Sequence, residues 1–406
     1  DSFYSSVPFY LAKFYSHTIG MSGRLRLAAT GVQDQWLTGD PQLSYFLMNF
    51  RRHTKFAINY IESQFDGDIT FGKTITCRVP NDRGDLIKNL TLKVTLDDPS
   101  SGYEWCPSVI SHLVESAELL IGGQTIEKIT GEYIYIHQQL HNTDDDIDQT
   151  VYFLNGHGET LAYTGDYTYF MDLPFYFYRN PSLAVPTCAL TKQIVEVRIK
   201  LRPLAELAGE SATANLKKFS LDTEFVFLTD NERNYMMSRP LDYVITQVQM
   251  SKFLMKAGEN TKSVMLNFSH PVRELFFVSQ SEAAVTANHP NRYNTLVNVK
   301  LQFNNEVVFD RGRKFLVYEQ ALKHHISPPE YVAATDYKQS EFGMYSFALK
   351  PELYYPTGQV NMSRIFHKLL TIQIDPINAV DNNNTRVYAV NYNILRVESG
   401  LAGLKF

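Results

Sequence analysis

Apolar and polar residues alternate with period two along most of the chain. Leu90, Leu92, Val94 and Leu96 interleave with Thr91, Lys93, Thr95 and Asp97. Val195, Val197, Ile199 and Leu201 interleave with Glu196, Arg198, Lys200 and Arg202. Val297, Val299, Leu301 and Phe303 do so with Asn298, Lys300, Gln302 and Asn304, and Leu370, Ile372 and Ile374 repeat the pattern. Successive strand side chains project to opposite faces, so each run buries one face and wets the other. Many such runs, separated by Gly, Asn, Asp and Pro turns, predict antiparallel sandwiches. Helical periodicity is scarce, with one short turn predicted around Asp230 to Met237. The predicted fold class is all-β.

The order of features also repeats. Leu119-Leu120-Ile121-Gly122-Gly123 is followed by Ile126 and Gly131, and Leu301-Gln302-Phe303-Asn304-Asn305 by Val308 and Gly312. Both read as a strand, a tight turn and a returning strand. An aromatic-proline segment follows in each half, Leu173 to Phe177 and Lys350 to Pro356, and each half ends on an aromatic strand, Phe219 to Leu228 and Val387 to Val397. Two copies of one domain are expected. The polar stretch Thr229 to Arg233 and Pro240 set the boundary, giving a first sandwich over 27–229, a linker over 230–239 and a second sandwich over 240–406. Residues 1–26 are expected to be an arm or extension, since Met21-Ser22-Gly23 reads as a natural start. Asn142 to Gly158 and Asn288 to Asn294 read as surface loops.

Composition sharpens this picture. The 406 residues suffice for two large β-domains. The aromatic fraction of 13%, with 25 Tyr and 26 Phe, favours pleated, half-buried surfaces. A net charge of -5 supplies no global basic field, which argues against genome packaging and sequence-specific nucleic-acid binding. Cys77, Cys106 and Cys188 form no CxxC pair and no disulfide framework, so reduced thiols are expected. No apolar run approaches the ~18 residues of a spanning helix.

Candidate chemistry is sparse. His137 and His141 have helix-compatible metal spacing but no HExxH glutamate, and their tyrosine-rich surroundings suggest a strand end or loop. His324 and His325, taken as strand neighbours, would point apart and not share a metal. Asp144-Asp145-Asp146-Ile147-Asp148 lacks the ligand spacing and glycine of an EF-hand and reads as a solvated loop. Arg83-Gly84-Asp85 precedes the strand Leu86 to Leu96, where the glycine serves the turn. Asn-x-Ser/Thr sequons at Asn89, Asn267, Asn361 and Asn383 read as chance matches. No nucleophile elbow, phosphate-cradling loop or nucleotide fingerprint is present. No catalytic residue, metal or cofactor is assigned.

A further set of segments carries a resemblance. Gly31 to Gln42 reads GVQDQWLTGDPQ and is followed by FRRHTKF over Phe50 to Phe56. Gly84-Asp85-Leu86-Ile87, Gly122-Gly123-Gln124 with Gly131-Glu132-Tyr133, and Leu173-Pro174-Phe175 with Arg179-Asn180-Pro181 come next. Then follow His270 to Leu275, Tyr345 to Glu352, Pro356 to Arg364 and Tyr388 to Arg396. In this order they resemble landmarks of the major capsid proteins of nucleocytoplasmic large DNA viruses, over nearly the whole chain from Met21. The chain departs from the pattern at Ile365-Phe366, where relatives commonly carry Ile-Asp, and is short for the family.

The resemblance implies a double jelly roll: two tandem eight-stranded antiparallel β-sandwiches. It implies a homotrimer forming a pseudo-hexagonal capsomer, neighbouring capsomers and minor capsid proteins as partners, and an icosahedral shell over an internal membrane. It also implies a non-enzymatic virion protein, assembled in the host cytoplasm. A minor-capsid or scaffold paralogue is the near alternative, and a carbohydrate-binding or glycan-cleaving sandwich the distant one. Pro41, Arg51, Arg52 and Phe56 are expected at strand edges or subunit contacts. Gly122, Gly123, Pro351, Gly358, Asn361 and Arg364 are expected to set turn geometry.

Overall fold

The computed structural model describes residues 23–48, 50–100, 102–143, 146, 150–156, 167–286, 290–326 and 342–406. The first twenty residues and the acidic run 144–148, apart from the exposed Asp146, lie outside them. The described residues up to Thr54 form one unit and Lys55–Phe406 a second. The first unit contains helix α1 (Val32–Thr38), whose entry is fixed by the Gly31 N–H donating to Asp34 Oδ2 at 2.8 Å. No residue of α1 is buried.

In the second unit the chain first lays down eight strands. These are β1 (Phe56–Gln64), β2 (Thr74–Val79), β3 (Leu86–Leu96), β4 (Val114–Ile121), β5 (Gln124–Thr130), β6 (Tyr167–Asp172), β7 (Val195–Leu201) and β8 (Leu216–Leu228). They pair antiparallel into two sheets, β1-β8-β3-β6 and β2-β7-β4-β5. After helix α3 (Asp230–Ser238; α2 is described below) come β9 (Leu241–Met255), β10 (Thr261–Met265), β11 (Pro271–Ser281), β12 (Leu296–Phe303), β13 (Glu306–Gly312) and β14 (Gly343–Ser346). The two-residue β15 (Val360–Asn361), β16 (Lys368–Ile374), β17 (Asn383–Glu398) and β18 (Leu401–Leu404) complete the set.

Setting aside β15 and β18, the second eight strands pair as β9-β17-β11-β14 and β10-β16-β12-β13. Numbered from one within each half, both halves give the same two sheets, 1-8-3-6 and 2-7-4-5. That order is the jelly roll, and the fold is a double jelly roll.

The predicted alternation appears directly as burial. Leu90, Leu92, Val94 and Leu96 of β3 face the first core, as do Val195, Val197, Ile199 and Leu201 of β7; Leu370, Ile372 and Ile374 of β16 face the second. One run is corrected. In β12 the pairing with β16 shifts register between Leu296 and Asn298, so Leu296 enters the core and Val297 stays 39% exposed. A bulge moves every residue on one side of it to the opposite face.

The paired hairpins superpose in kind. Gly122 and Gly123 have φ of 59° and 82°, Asn304 and Asn305 φ of 49° and 72°. Two consecutive positive φ values match the twist of a two-residue antiparallel hairpin, which only Gly and Asn adopt cheaply. Each hairpin also shifts register two pairs before the turn, at Leu119/Leu120 and Leu301/Gln302.

Helix content was underestimated from the sequence. Helix α2 (Gly131–His141) follows β5, with the Thr130 hydroxyl accepting the Tyr133 N–H at 3.2 Å, and carries His137 and His141 where a strand end or loop was expected. Tyr133, Ile134, Tyr135, Ile136 and Leu140 are all buried. Glu132 and Gln139 are buried with them, so the helix shows no wet polar stripe, and its aromatic and β-branched residues mimic a strand. The equivalent position after β13 holds a wide helical turn (Lys314–Glu319) running into α4 (Gln320–His324). His324 and His325 therefore sit at a helix end, and the strand argument against their sharing a site does not apply. Among the described residues, no helix is long and apolar enough to cross a membrane.

Candidate functional site at the seam between the sandwiches

Strands β11 and β17 are buried on both faces. Leu275, Phe277, Val387 and Ala389 point into the second core, while Phe276, Val278, Tyr388 and Val390 join the core of the first sandwich. The two jelly rolls thus share an apolar seam, and the second half of the chain covers the flank of the first. Such doubly covered strands read as continuous apolar runs.

Polar side chains lock that seam. Arg386 of β17 donates through Nε and Nη2 to both carboxylate oxygens of Glu132 on α2, each at 2.6 Å, and Nη2 also reaches Gln280 Oε1 at 2.8 Å. The Tyr388 hydroxyl donates to the same carboxylate, while the Thr130 hydroxyl donates to the Tyr388 oxygen at 3.1 Å. Burial favours the neutral acid, but the charge and hydrogen bonds of Arg386 outweigh it and hold Glu132 below the usual carboxylate range. Further bonds cross nearby. Gln247 donates to the Ile126 carbonyl, Lys192 N–H donates to the Gly400 carbonyl at 3.2 Å, and the Ala402 N–H donates to Gln193 Oε1 at 2.6 Å.

A second polar cluster lies where α2 ends. The rings of His137 and His141 stack with centroids 3.8 Å apart, and His141 lies edge-on to His325 at 5.3 Å. His325, its side chain fully buried, sits between two carboxylates: Nδ1 is 2.9 Å from Glu352 Oε1 and Nε2 is 3.0 Å from Glu274 Oε2. Glu274 also accepts from Arg273 Nε at 2.9 Å. Burial alone would raise Glu274, but the Arg273 charge and the His325 hydrogen bond bring it to about 2. Burial and the nearby His325 charge lower His141 to about 4, leaving it a neutral imidazole. One ligand atom each from His141, His325 and Glu352 falls within 4.8 Å of the others, a grouping compatible with a metal ion.

The residues singled out from sequence are scattered rather than gathered into one site. Pro41, Arg51 and Arg52 belong to the unit ending at Thr54 and are exposed. Phe56 opens β1, also exposed. Gly122 and Gly123 form the β4–β5 turn, and a Cβ on Gly122 would sit 2.5 Å from Gln193 Nε2. Pro351 is buried, and Gly358 has φ 141° with room too small for a Cβ, which would lie 2.9 Å from the Phe347 carbonyl oxygen. Asn361 caps the turn Met362–Arg364 by accepting the Ser363 N–H at 3.1 Å, and Arg364 ends that turn, exposed.

Several tempting motifs are occupied by structure. The carboxylate of Asp85 in Arg83-Gly84-Asp85 is buried, paired to Arg233 Nε at 2.8 Å and accepting the Leu228 N–H at 2.8 Å. Asn383 is buried, and Asn89 donates to Asp172 at 3.1 Å. The three cysteines are free thiols, and burial pushes Cys77 and Cys106 up to about 12. Glu132, Arg386, Glu274 and Glu352 were not singled out, since Glu132 stands 254 residues from Arg386, and Glu274 and Glu352 stand 51 and 27 residues from His325, which had been set aside with His324.

Two tandem jelly rolls fused along a buried seam define the double jelly-roll capsid proteins as the class. The fold is similar to VP54 of PBCV-1, with a TM-score of 0.77 at 22% identity over 89% of this chain and 100% of that one. Residues 44–233 match the family described as major capsid protein N-terminus, and residues 232–403 the family described as large eukaryotic DNA virus major capsid protein. The chain is 33% identical to the major capsid protein of Pyramimonas orientalis virus, over 95% of this chain and 99% of that protein. It is 27% identical to the major capsid protein of Paramecium bursaria Chlorella virus 1, over 95% of this chain and 100% of that protein. The chain belongs to the major capsid proteins of large eukaryotic DNA viruses. Its role is structural, in the virion shell.

Proposed function

We propose that three copies of this chain associate into a capsomer whose six sandwiches stand around a pseudo-sixfold axis, and that these capsomers tile an icosahedral shell. The observation that carries this reading is the strand order, 1-8-3-6 and 2-7-4-5, repeated within one chain. Two like domains per chain, taken three times, present six similar edges, so one protein can tile a nearly flat face. The domains are the stretches 27–229 and 240–406, with 230–239 linking them and 1–26 as an arm.

Neighbouring capsomers and minor capsid proteins are the partners, and the shell encloses a membrane. Trp36, Tyr45 and Phe46, exposed at 87%, 93% and 95%, support a first unit made to be covered by a partner. Pro41, Arg51, Arg52 and Phe56 lie in or next to that stretch and make subunit contacts. The work of the protein is assembly rather than catalysis or sequence-specific nucleic-acid binding, in keeping with its net charge of -5.

The test is the native mass of the purified full-length protein. A stable species of three 46.5 kDa chains is expected. A persistent monomer at high concentration overturns the reading.

A further inference from the structure

His141 ends α2 in the first sandwich, His325 follows α4 in the second, and Glu352 lies in the loop after β14. Their hydrogen bonds show which ring nitrogen of each histidine is held by an outer group and which faces the other members of the cluster. Nδ1 of His141 is 3.0 Å from the carbonyl oxygen of His137, so Nδ1–H donates and Nε2 keeps its lone pair. Nε2 of His325 is 3.0 Å from Glu274 Oε2 and donates its N–H there, so Nδ1 is the nitrogen that a metal would take in exchange for a proton. That Nδ1 lies 2.9 Å from Glu352 Oε1. An imidazole lone pair and a carboxylate oxygen repel at this distance unless a positive centre stands between them.

A proton could be that centre, but a proton gives His141 no part. A metal ion uses all three groups, whose ligand atoms lie within 4.8 Å of one another. A second ring nitrogen held by a carbonyl or carboxylate oxygen is how proteins orient metal-bound histidines. Both histidines have one. Two imidazoles and a carboxylate, with water in a fourth position, form a donor set suited to zinc. His141, Tyr178, Arg179 and Ile326 line a cavity of about 560 Å³, which reaches the cluster from the His141 side.

We propose that His141, His325 and Glu352 bind a zinc ion that staples the first jelly roll to the second. Glu274 and the His137 carbonyl are positioning groups for the two imidazoles. Because the ligands come from both sandwiches, the ion adds a cross-link to the seam they already share. The proposal is independent of oligomeric state, since zinc is counted per chain.

The experiment strips the purified full-length protein with a chelator and titrates it with zinc chloride, following bound metal by elemental analysis and calorimetry. One zinc per chain is expected, with a thermal midpoint that rises with free zinc and a tetrahedral Co2+ absorption spectrum on cobalt substitution. His141→Gln and Glu352→Gln each abolish stoichiometric binding. Glu274→Gln leaves the three ligands in place and weakens binding about 10- to 100-fold. Circular dichroism checks that each variant is folded, and if His141→Gln is not, the more exposed Glu352→Gln carries the test. A folded parent that takes up no zinc leaves only a proton between His325 and Glu352 and overturns the proposal. Undiminished zinc binding by the folded variants places the ion elsewhere and overturns it equally.

Discussion

Arg386 and Glu132 meet in a two-pronged ion pair, both hydrogen bonds 2.6 Å long, with the cation on the second sandwich and the anion on the first. Both side chains are largely buried, at 14% and 7% exposure. A buried pair contributes little net stability over an apolar pair of the same shape, but removing one partner strands a charge in a dry seam. Arg386→Ala is expected to lower stability by about 3–5 kcal/mol, read as a lower urea midpoint. Replacing both partners with apolar residues, Glu132→Leu with Arg386→Met, should recover most of that loss. Equal losses for the single and double variants would show that the pair's charge is not what matters there.

The β4–β5 turn offers a sharper geometric test, because its two glycines face different surroundings. Both have positive φ, so an alanine at either is strained by about 1–2 kcal/mol. A Cβ at Gly123 meets nothing within 4 Å, whereas one at Gly122 collides with the Gln193 side chain, whose Oε1 accepts the Ala402 N–H of β18. Gly122→Ala should therefore cost more than Gly123→Ala, by about 1 kcal/mol for the displaced hydrogen bond. Thermal melts of the two variants side by side decide it, and equal shifts would mean that Gln193 moves aside without loss.

The duplicated hairpins were legible in the sequence because their signal is local: two residues tolerant of positive φ between alternating strands. The half-buried strands β3, β7 and β16 were legible for the same reason, one face in each being wet. The seam was not. In β11 and β17, Phe276 and Tyr388 are as buried as Leu275 and Ala389 but serve the other face, and continuous burial erases the alternation that tells faces apart. Helix α2 was lost in the same way, its polar Glu132 and Gln139 buried alongside its apolar residues. The polar groups in the seam follow suit. Glu132 stands 254 residues from Arg386, and His141 meets His325 only because α2 and α4 end side by side. No spacing rule joins them, whereas the family landmarks, being short contiguous runs, stood out at once.

Glu127 of β5 provides a test through pH. Its side chain is buried, with Oε2 accepting the Tyr176 N–H at 2.7 Å. Burial pushes its carboxyl up to about 8, against the opposing pull of that hydrogen bond and the Arg273 charge. Unfolded, the same group titrates near its ordinary 4.5. Between these values the folded chain holds a proton that the unfolded chain has released, so this group's contribution to stability falls as pH rises. The slope is about 1.4 kcal/mol per pH unit, levelling off above about pH 8. Glu127→Gln keeps an oxygen for the Tyr176 N–H and cannot ionise. Relative to the parent it should be close to neutral near pH 4.5 and increasingly stabilising toward pH 8. Urea midpoints of both proteins across that range give the answer. Parallel profiles would mean that Glu127 is already ionised in the folded protein, with the Tyr176 N–H and Arg273 prevailing over burial.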